Sequence, residues 1–178
     1  MAIHAPITPH AADEDSYSPS TLTSSPISLL FTAMLLRLEV FIETEHEIDG
    51  VARVFDPACA AWLHDAEKAL DRLTDTVAAL QLLPKCCEGD GVLLHFTGIL
   101  SGLISAQTAN EAAIARVKAV CLPDLLQFTA KTFEGHRAFR LVQQGTCLIE
   151  ALQTLELFRE AHDAGNEPSL NTEPTFSG

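Results

Sequence analysis

One short segment, residues 84–95 (PKCCEGDGVLLH), concentrates residue types that could bind a metal or carry out chemistry. It contains the adjacent cysteines Cys86 and Cys87, two glycines and one histidine, His95. A structural zinc site needs four converging ligands, usually from two separated pairs of Cys or His. Adjacent cysteines chelate poorly, and the sequence has neither a second pair nor a C-x-x-C redox motif. We therefore predict no metal here and interpret the segment as a turn between two helices.

Two other patterns that could carry a metal or a reaction are incomplete. Glu43 and His46 form a Glu-x-x-His element of the kind found in di-iron bundles, which also need inward-facing acids on the other helices. The predicted third helix has no acid between Val92 and Ala109, so this set of ligands is not assembled. The chain also lacks a G-x-S-x-G elbow and a glycine-rich phosphate loop with its lysine. We predict no cofactor.

The remaining candidates are polar and aromatic side chains on predicted apolar helices, where they could line a pocket. If the protein is an enzyme, His95 and His136 are the candidates for a general acid or a hydrogen-bond donor. The candidates for ligand binding are Trp62, His95, Phe96, Gly98, Gly102, Phe133, His136 and Arg137. In the alternative interpretation the core is solid, these residues lie at its edges, and His95 is a buried core histidine.

Apolar residues at three-to-four spacing predict that the fold is all-α, a bundle of four or five helices. The predicted helices cover residues 25–48 and 56–83, a third helix that starts near residue 90 and could run on to residue 120, and residues 123–158. Ser25 before Pro26 and Asp90 at the start of the third helix are predicted caps. The last helix could be one continuous helix or could break at Gly135 and Gly145, and the sequence leaves both open.

The two ends of the chain lack apolar periodicity and are rich in Pro, Ser, Thr and acidic residues. We expect disordered tails at residues 1–25 and 163–178, with a single helical domain over residues 26–162.

Two helix faces carry spacing patterns of their own. On the second helix, six residues recur at spacings of four and three and predict a bundle seam: Trp62, Ala66, Ala69, Leu73, Thr76 and Leu80. On the third helix, Gly98, Gly102 and Ala106 stand four residues apart. Because each interior glycine costs about 1 kcal/mol relative to alanine, this face predicts close approach of another backbone or of a flat ligand.

Charge and composition exclude several classes of partner. The formal net charge is −13, from 11 Lys and Arg against 24 Asp and Glu, so direct binding to nucleic acid is not expected. The apolar run at residues 27–42 is too short for a membrane span and is interrupted by Arg37 and Glu39. The first 25 residues contain no Lys or Arg and show no secretory signal. Five irregularly spaced cysteines indicate free, mostly buried thiols in an intracellular compartment, cytoplasm or nucleus.

The order of these segments resembles the C-terminal helical region of aflatoxin-regulator-type fungal transcription factors. A helix with an Ala-Leu-Asp heptad (residues 69–80) runs into the cysteine-containing turn at residues 82–87. The apolar helix at residues 92–100 follows and ends in small residues at 101–106. A Leu-rich last helix, at residues 147–155, completes the resemblance.

The resemblance covers roughly residues 27–160, and its specific part is the cysteine turn with the apolar helix after it. The family also has a basic, six-cysteine zinc cluster that binds DNA. Residues 1–25 contain no Cys, Lys or Arg, so neither zinc nor a DNA-binding residue is carried over. The resemblance implies that this chain is the regulatory module alone, or a relative recruited to another task in fungal secondary metabolism.

Two functions follow as expectations. The first is a non-enzymatic regulatory module of secondary-metabolite biosynthesis that binds a partner protein or a hydrophobic small molecule. The second is a small cofactor-independent cyclase or isomerase, pericyclase-like, that acts on a hydrophobic substrate mainly by folding it and excluding water. A homodimer formed by the bundle is a third, separate interpretation.

Overall fold

The structure is a computed structural model that describes residues 24–48, 59–127, 132–155 and 158. These residues fold into five α-helices, as the spacing of the apolar residues predicts. The helices are α1 (Pro26–Ile48), α2 (Cys59–Gln81), α3 (Asp90–Ile104), α4 (Ala109–Gln127) and α5 (Phe133–Leu152). No strand occurs within the described ranges, so the predicted all-α bundle is confirmed. The predicted tails lie outside the described residues except for Ser24 and Ser25, as does the predicted start of the second helix at residues 56 and 57.

The core is built from buried residues of all five helices, and α3 contacts each of the other four. Phe31 of α1 and Phe96 of α3 are fully buried, and their rings meet edge to face with centroids 5.6 Å apart. Edge-to-face contact is the favoured arrangement of two aromatic rings because it brings the positive edge of one to the negative face of the other. This contact joins the first and third helices at the centre of the bundle.

The start of α1 follows the sequence prediction. Pro26 is its first residue, and the Ser25 hydroxyl accepts a hydrogen bond from the amide of Ser28 at 3.0 Å. Serine at this position satisfies one of the amides that a helix leaves without an intrahelical partner.

The seam of α2 is confirmed from its second member onward, because Ala66, Ala69, Leu73, Thr76 and Leu80 are all buried. Trp62 does not belong to the seam, since 43 % of its surface is exposed. Residues 60–65 are all exposed, so no other described element covers the beginning of α2. Periodicity continues along a helix whether or not a neighbour is present, and within the described ranges no neighbour covers the first turns of α2.

The helical part of α2 ends at Gln81, three residues before Pro84, and α3 begins at Asp90 as predicted. The expected capping role of Asp90 is wrong, because Gly89 occupies the cap position and no side chain caps the helix. The buried Asp90 carboxylate instead accepts hydrogen bonds from the amides of Cys86 and Cys87, both at 2.8 Å. It therefore stabilises the turn that precedes the helix.

The alternative in which the third helix runs on to residue 120 is wrong. The chain turns after Ile104, and α4 starts anew at Ala109. Thr108 accepts from the amide of Glu111, and the Glu111 carboxylate accepts from the amide of Gln107 at 2.9 Å. These contacts are close to a capping box, in which a Thr and a Glu three residues apart satisfy the first amides of a helix.

The predicted helix boundary at Pro123 is also wrong, because Pro123 lies inside α4. Proline has no amide hydrogen, so it cannot bond the carbonyl four residues earlier, at Ala119. The hydroxyl of Thr146 on α5 reaches that carbonyl at 3.4 Å. A neighbouring helix thus gives the Ala119 carbonyl a long contact in place of the bond that Pro123 cannot make, although the same hydroxyl makes its shorter bond, at 3.0 Å, to the carbonyl of Val142 in its own helix.

The last helix of the described chain, α5, runs without a break through Gly135 and Gly145. It begins after Thr132, whose hydroxyl accepts from the amide of Gly135 at 3.0 Å. Gly145 is buried against Phe96, and the absence of a side chain at position 145 leaves room for the Phe96 ring. This glycine does not interrupt the helix.

Candidate functional site

An open groove of about 680 Å³ lies between α3 and α4. We call it the α3–α4 groove, and its main lining residues are Leu94, His95, Gly98, Ile99, Gly102 and Ile114. The groove exists because the chain turns after Ile104. α4 therefore packs beside α3 and does not continue along the axis of α3. The apolar lining and the volume are typical of a site for a small organic molecule.

The floor of the groove is formed by two of the glycines of α3, Gly98 and Gly102. Both Gly98 and Gly102 are exposed, and a Cβ placed on either would meet no other atom within 4 Å. The predicted close approach of another backbone is therefore wrong for the described residues. The alternative prediction is a flat ligand, and the open space above Gly98 and Gly102 can accommodate one. Ala106, the third member of the pattern, lies beyond the end of α3 but also lines the groove.

The polar groups of the groove lie on both of its sides. His95 on α3 and Lys118 on α4 are exposed lining residues. Glu111 also lines the groove, but its carboxylate already accepts from the amide of Gln107. The expectation that His95 is a buried core histidine is wrong. Its exposed imidazole can donate or accept a hydrogen bond with a molecule in the groove.

Sequence reasoning missed the α4 side of the groove, which contributes Ile114 and Lys118. A single helix running on to residue 120 would have placed these residues well beyond Gly98 along one axis. The Thr108-x-x-Glu111 spacing was the signal that could have located the start of a new helix.

A second, smaller space of about 20 Å³ lies where the start of α1, the α2–α3 turn and the first turns of α5 meet. We call it the junction chamber, and its polar lining residues include Ser24, Ser28, Cys87, Asp90, Glu134 and Arg137. The guanidinium of Arg137 donates to the Ser24 hydroxyl, and the Ser25 hydroxyl donates to Asp90 Oδ1 at 2.5 Å. The cap residue of α5, Thr132, donates to Glu88 of the turn at 2.7 Å.

The eight predicted ligand-binding residues do not come together in one place. His95, Gly98 and Gly102 line the α3–α4 groove, while Phe133 and Arg137 line the junction chamber. The ring of Phe96 is fully buried in the core. Trp62 and His136 are exposed and line neither space. His95 and His136, the two candidates for a general acid or hydrogen-bond donor, therefore do not lie in one site.

The cysteine turn has an exposed and a half-buried thiol. Burial raises the pKa of the Cys87 thiol above its ordinary value of 9.0, and the nearby Asp90, Glu134 and Cys86 raise it further. Cys86, Cys121 and Cys147 are free and exposed, so the expectation of mostly buried thiols is wrong for the cysteines whose side chains are described. Among the described residues, no three His, Cys, Asp or Glu side chains are grouped closely enough to hold a metal ion.

No helix in the described part of the chain is both long and apolar enough to span a membrane. Comparison of this chain with known protein families, with curated proteins and with solved structures gives no match.

Proposed function

We propose that this chain is a helical binding module with a regulatory role in fungal secondary-metabolite biosynthesis, and that it binds a hydrophobic metabolite in the α3–α4 groove. The observation that carries the proposal is the groove itself, which has a volume of about 680 Å³, a glycine floor and apolar walls. Sites for organic ligands commonly have volumes of about 300–1,000 Å³ and a few polar groups among apolar ones.

The glycines support a ligand because their cost is otherwise uncompensated within the described structure. Each interior glycine destabilises a helix by about 1 kcal/mol relative to alanine. At Gly98 and Gly102 no neighbouring atom would clash with a methyl group, so packing does not require glycine at either position. A flat molecule lying on α3 would use the space, and it would cover the side chains of Leu94 and Ile114 on the two walls.

A partner protein is the alternative occupant of the same surface. The exposed side of α4 continues from the groove through Ile114, Val117 and Val120, which are 48 %, 63 % and 49 % exposed. An amphipathic helix of a partner could cover this face and the groove together. The regulatory assignment comes from the resemblance to the C-terminal region of aflatoxin-regulator-type factors. The net charge of −13 supports a role that does not include direct contact with DNA.

Filling the groove tests the proposal directly. Gly98→Leu and Gly102→Leu place a side chain in the groove, where the structure shows no clash at the first carbon. Gly91→Leu is the matched control, because Gly91 is also in α3 but does not line the groove. The probe is the fluorescent hydrophobic dye 8-anilinonaphthalene-1-sulfonate, titrated into each folded protein, with circular dichroism to verify the helix content.

We expect the dye to bind the wild-type protein and the Gly91→Leu variant equally, and to bind the two groove variants at least tenfold more weakly. Equal binding by all four proteins would contradict the proposed location of the site. Loss of binding in the Gly91→Leu variant alone would contradict it as well.

A cofactor-independent cyclase or isomerase is the second candidate, favoured by the exposed His95 on the groove wall. Such an enzyme gains rate from excluding water, and the open groove offers little exclusion. Deletion of the gene in its source organism separates the two functions. Loss of pathway transcripts supports the regulatory role, whereas accumulation of one intermediate with transcripts intact supports the enzyme. Complementation with His95→Gln then restores the product only if His95 is not the catalytic acid.

A further inference from the structure

The junction chamber contains a polar group that the rest of the described structure leaves unsatisfied. Ser28, in the first turn of α1, is 93 % buried, and its hydroxyl oxygen has no hydrogen-bond partner within the described ranges of the chain. Its neighbour Ser25 differs, because that hydroxyl both accepts from the Ser28 amide and donates to Asp90. A buried hydroxyl without a partner loses its hydrogen bonds to water and forms none within the protein, which destabilises the folded state. Native structures therefore rarely contain one.

The size of the chamber limits what could satisfy Ser28. A volume of about 20 Å³ exceeds the roughly 10–15 Å³ that a single water molecule requires. The same volume is far below that of an organic ligand, for which the usual range starts at about 300 Å³.

The charges around the chamber also favour a neutral occupant. The buried carboxylate of Asp90 and the carboxylate of Glu134 both belong to residues of the wall, and they would repel an anion. The guanidinium of Arg137 lies on the same wall and opposes a cation. Water avoids both penalties because it can donate to a carboxylate and accept from a hydroxyl or a guanidinium.

We propose that the junction chamber binds one water molecule, which hydrogen-bonds to Ser28 Oγ and to at least one polar group on the facing wall, from Ser24, Asp90 or Arg137. The water joins the start of α1 to the α2–α3 turn and to α5, the three elements that already meet through Ser25, Asp90 and Arg137. A buried water of this kind typically makes about three hydrogen bonds and is difficult to remove. The proposal concerns this junction only and is independent of the function assigned to the α3–α4 groove.

A high-resolution crystal structure of the full chain provides the first test. We expect one density peak in the chamber within hydrogen-bond distance of Ser28 Oγ and of a second polar atom. A Ser28 hydroxyl bonded to another group of the protein, or a chamber with no peak, would overturn the proposal.

Magnetisation transfer from water to the backbone amides, measured by NMR, provides a second test in solution. The wild-type protein should show a long-lived water cross peak to the amides that border the chamber, including those of Ser28 and Gly89. Ser28→Ala should abolish this cross peak, because it removes one of the groups that hold the water. Thr74→Ala, an exposed substitution on α2, is the matched control and should leave it unchanged. Absence of the cross peak in the wild-type protein, or its persistence in Ser28→Ala, would contradict the inference.

Discussion

Gly145 of α5 lies directly against the ring of Phe96 of α3. A Cβ placed on Gly145 would stand 2.5 Å from Cζ and 2.8 Å from Cε1 of that ring, well inside any van der Waals contact. Phe96 is fully buried and also meets Phe31 edge to face, so its ring has little freedom to move aside. Glycine at position 145 therefore sets the distance between α3 and α5.

Gly145→Ala should destabilise the protein by up to about 2 kcal/mol net, because overpacking of a well-packed core costs about 1–3 kcal/mol. The gain in helix propensity from glycine to alanine opposes this loss but is smaller, about 1 kcal/mol at most. Urea denaturation followed by circular dichroism measures the difference in the free energy of unfolding.

Gly98→Ala serves as the opposite case, because the added methyl group meets nothing within 4 Å. This substitution should raise the free energy of unfolding by about 0.5–1 kcal/mol through helix propensity alone. If the two alanine substitutions shift the free energy of unfolding in the same direction, the conclusion that Gly145 is tightly packed and Gly98 is open is wrong.

Asp90→Ala should lower the free energy of unfolding by about 2–4 kcal/mol, because it leaves three donors without their acceptor. Those donors are the Ser25 hydroxyl and the amides of Cys86 and Cys87, at 2.5, 2.8 and 2.8 Å. Asp71→Ala, at an exposed position of α2, is the control and should change stability by no more than about 0.5 kcal/mol. A loss at Asp90 no larger than the loss at Asp71 would mean that the carboxylate does not hold the turn.

The contact between Thr146 and the carbonyl of Ala119 predicts an energetic coupling with Pro123. Thr146→Val should cost about 1 kcal/mol in the wild-type protein, because the carbonyl then lacks a donor. In a Pro123→Ala background the amide of residue 123 can bond that carbonyl, so the same substitution should cost less. A double-mutant cycle measured by chemical denaturation gives the coupling, and full additivity of the two changes would contradict this explanation.

The raised pKa of Cys87 predicts slow alkylation at neutral pH, since the thiolate is the reactive form. Its reaction rate with iodoacetamide, followed by peptide mass spectrometry, should rise with an apparent pKa above 9.0. The folded-state pKa exceeds the unfolded one. The Cys87 thiol therefore makes its full contribution to the free energy of unfolding at pH values below its unfolded-state pKa. This contribution is lost as the pH rises through the folded-state pKa of Cys87.

Glu134→Gln should lower the apparent pKa of Cys87, because it removes a negative charge that disfavours the thiolate. Glu150→Gln, at an exposed position farther along α5, should have no effect. Reaction of Cys87 with an apparent pKa at or below 9.0 in the wild-type protein would show that the thiol is not protected.

Local sequence alone determined much of the helical framework. The start of α1 at Ser25 and Pro26 follows from a cap, whereas the buried seam of α2 from Ala66 to Leu80 and the start of α3 at Asp90 follow from the spacing of apolar residues. Such signals depend on residues within one or two turns of each other, so they can be recognised without knowledge of the neighbouring helices.

Tertiary structure decided the features that depend on contacts between helices. Pro123 lies inside α4, where the carbonyl of Ala119 that it cannot bond is in contact with Thr146 of another helix, and Gly145 lies inside α5, where the ring of Phe96 takes the space beside it. The spacing of Gly98 and Gly102 on α3 predicted a packing face, yet both residues form the floor of a groove, since α4 folds back beside them. A glycine looks the same in a sequence whether a neighbouring ring presses on it or open space lies above it, and only the packing of the helices distinguishes the two.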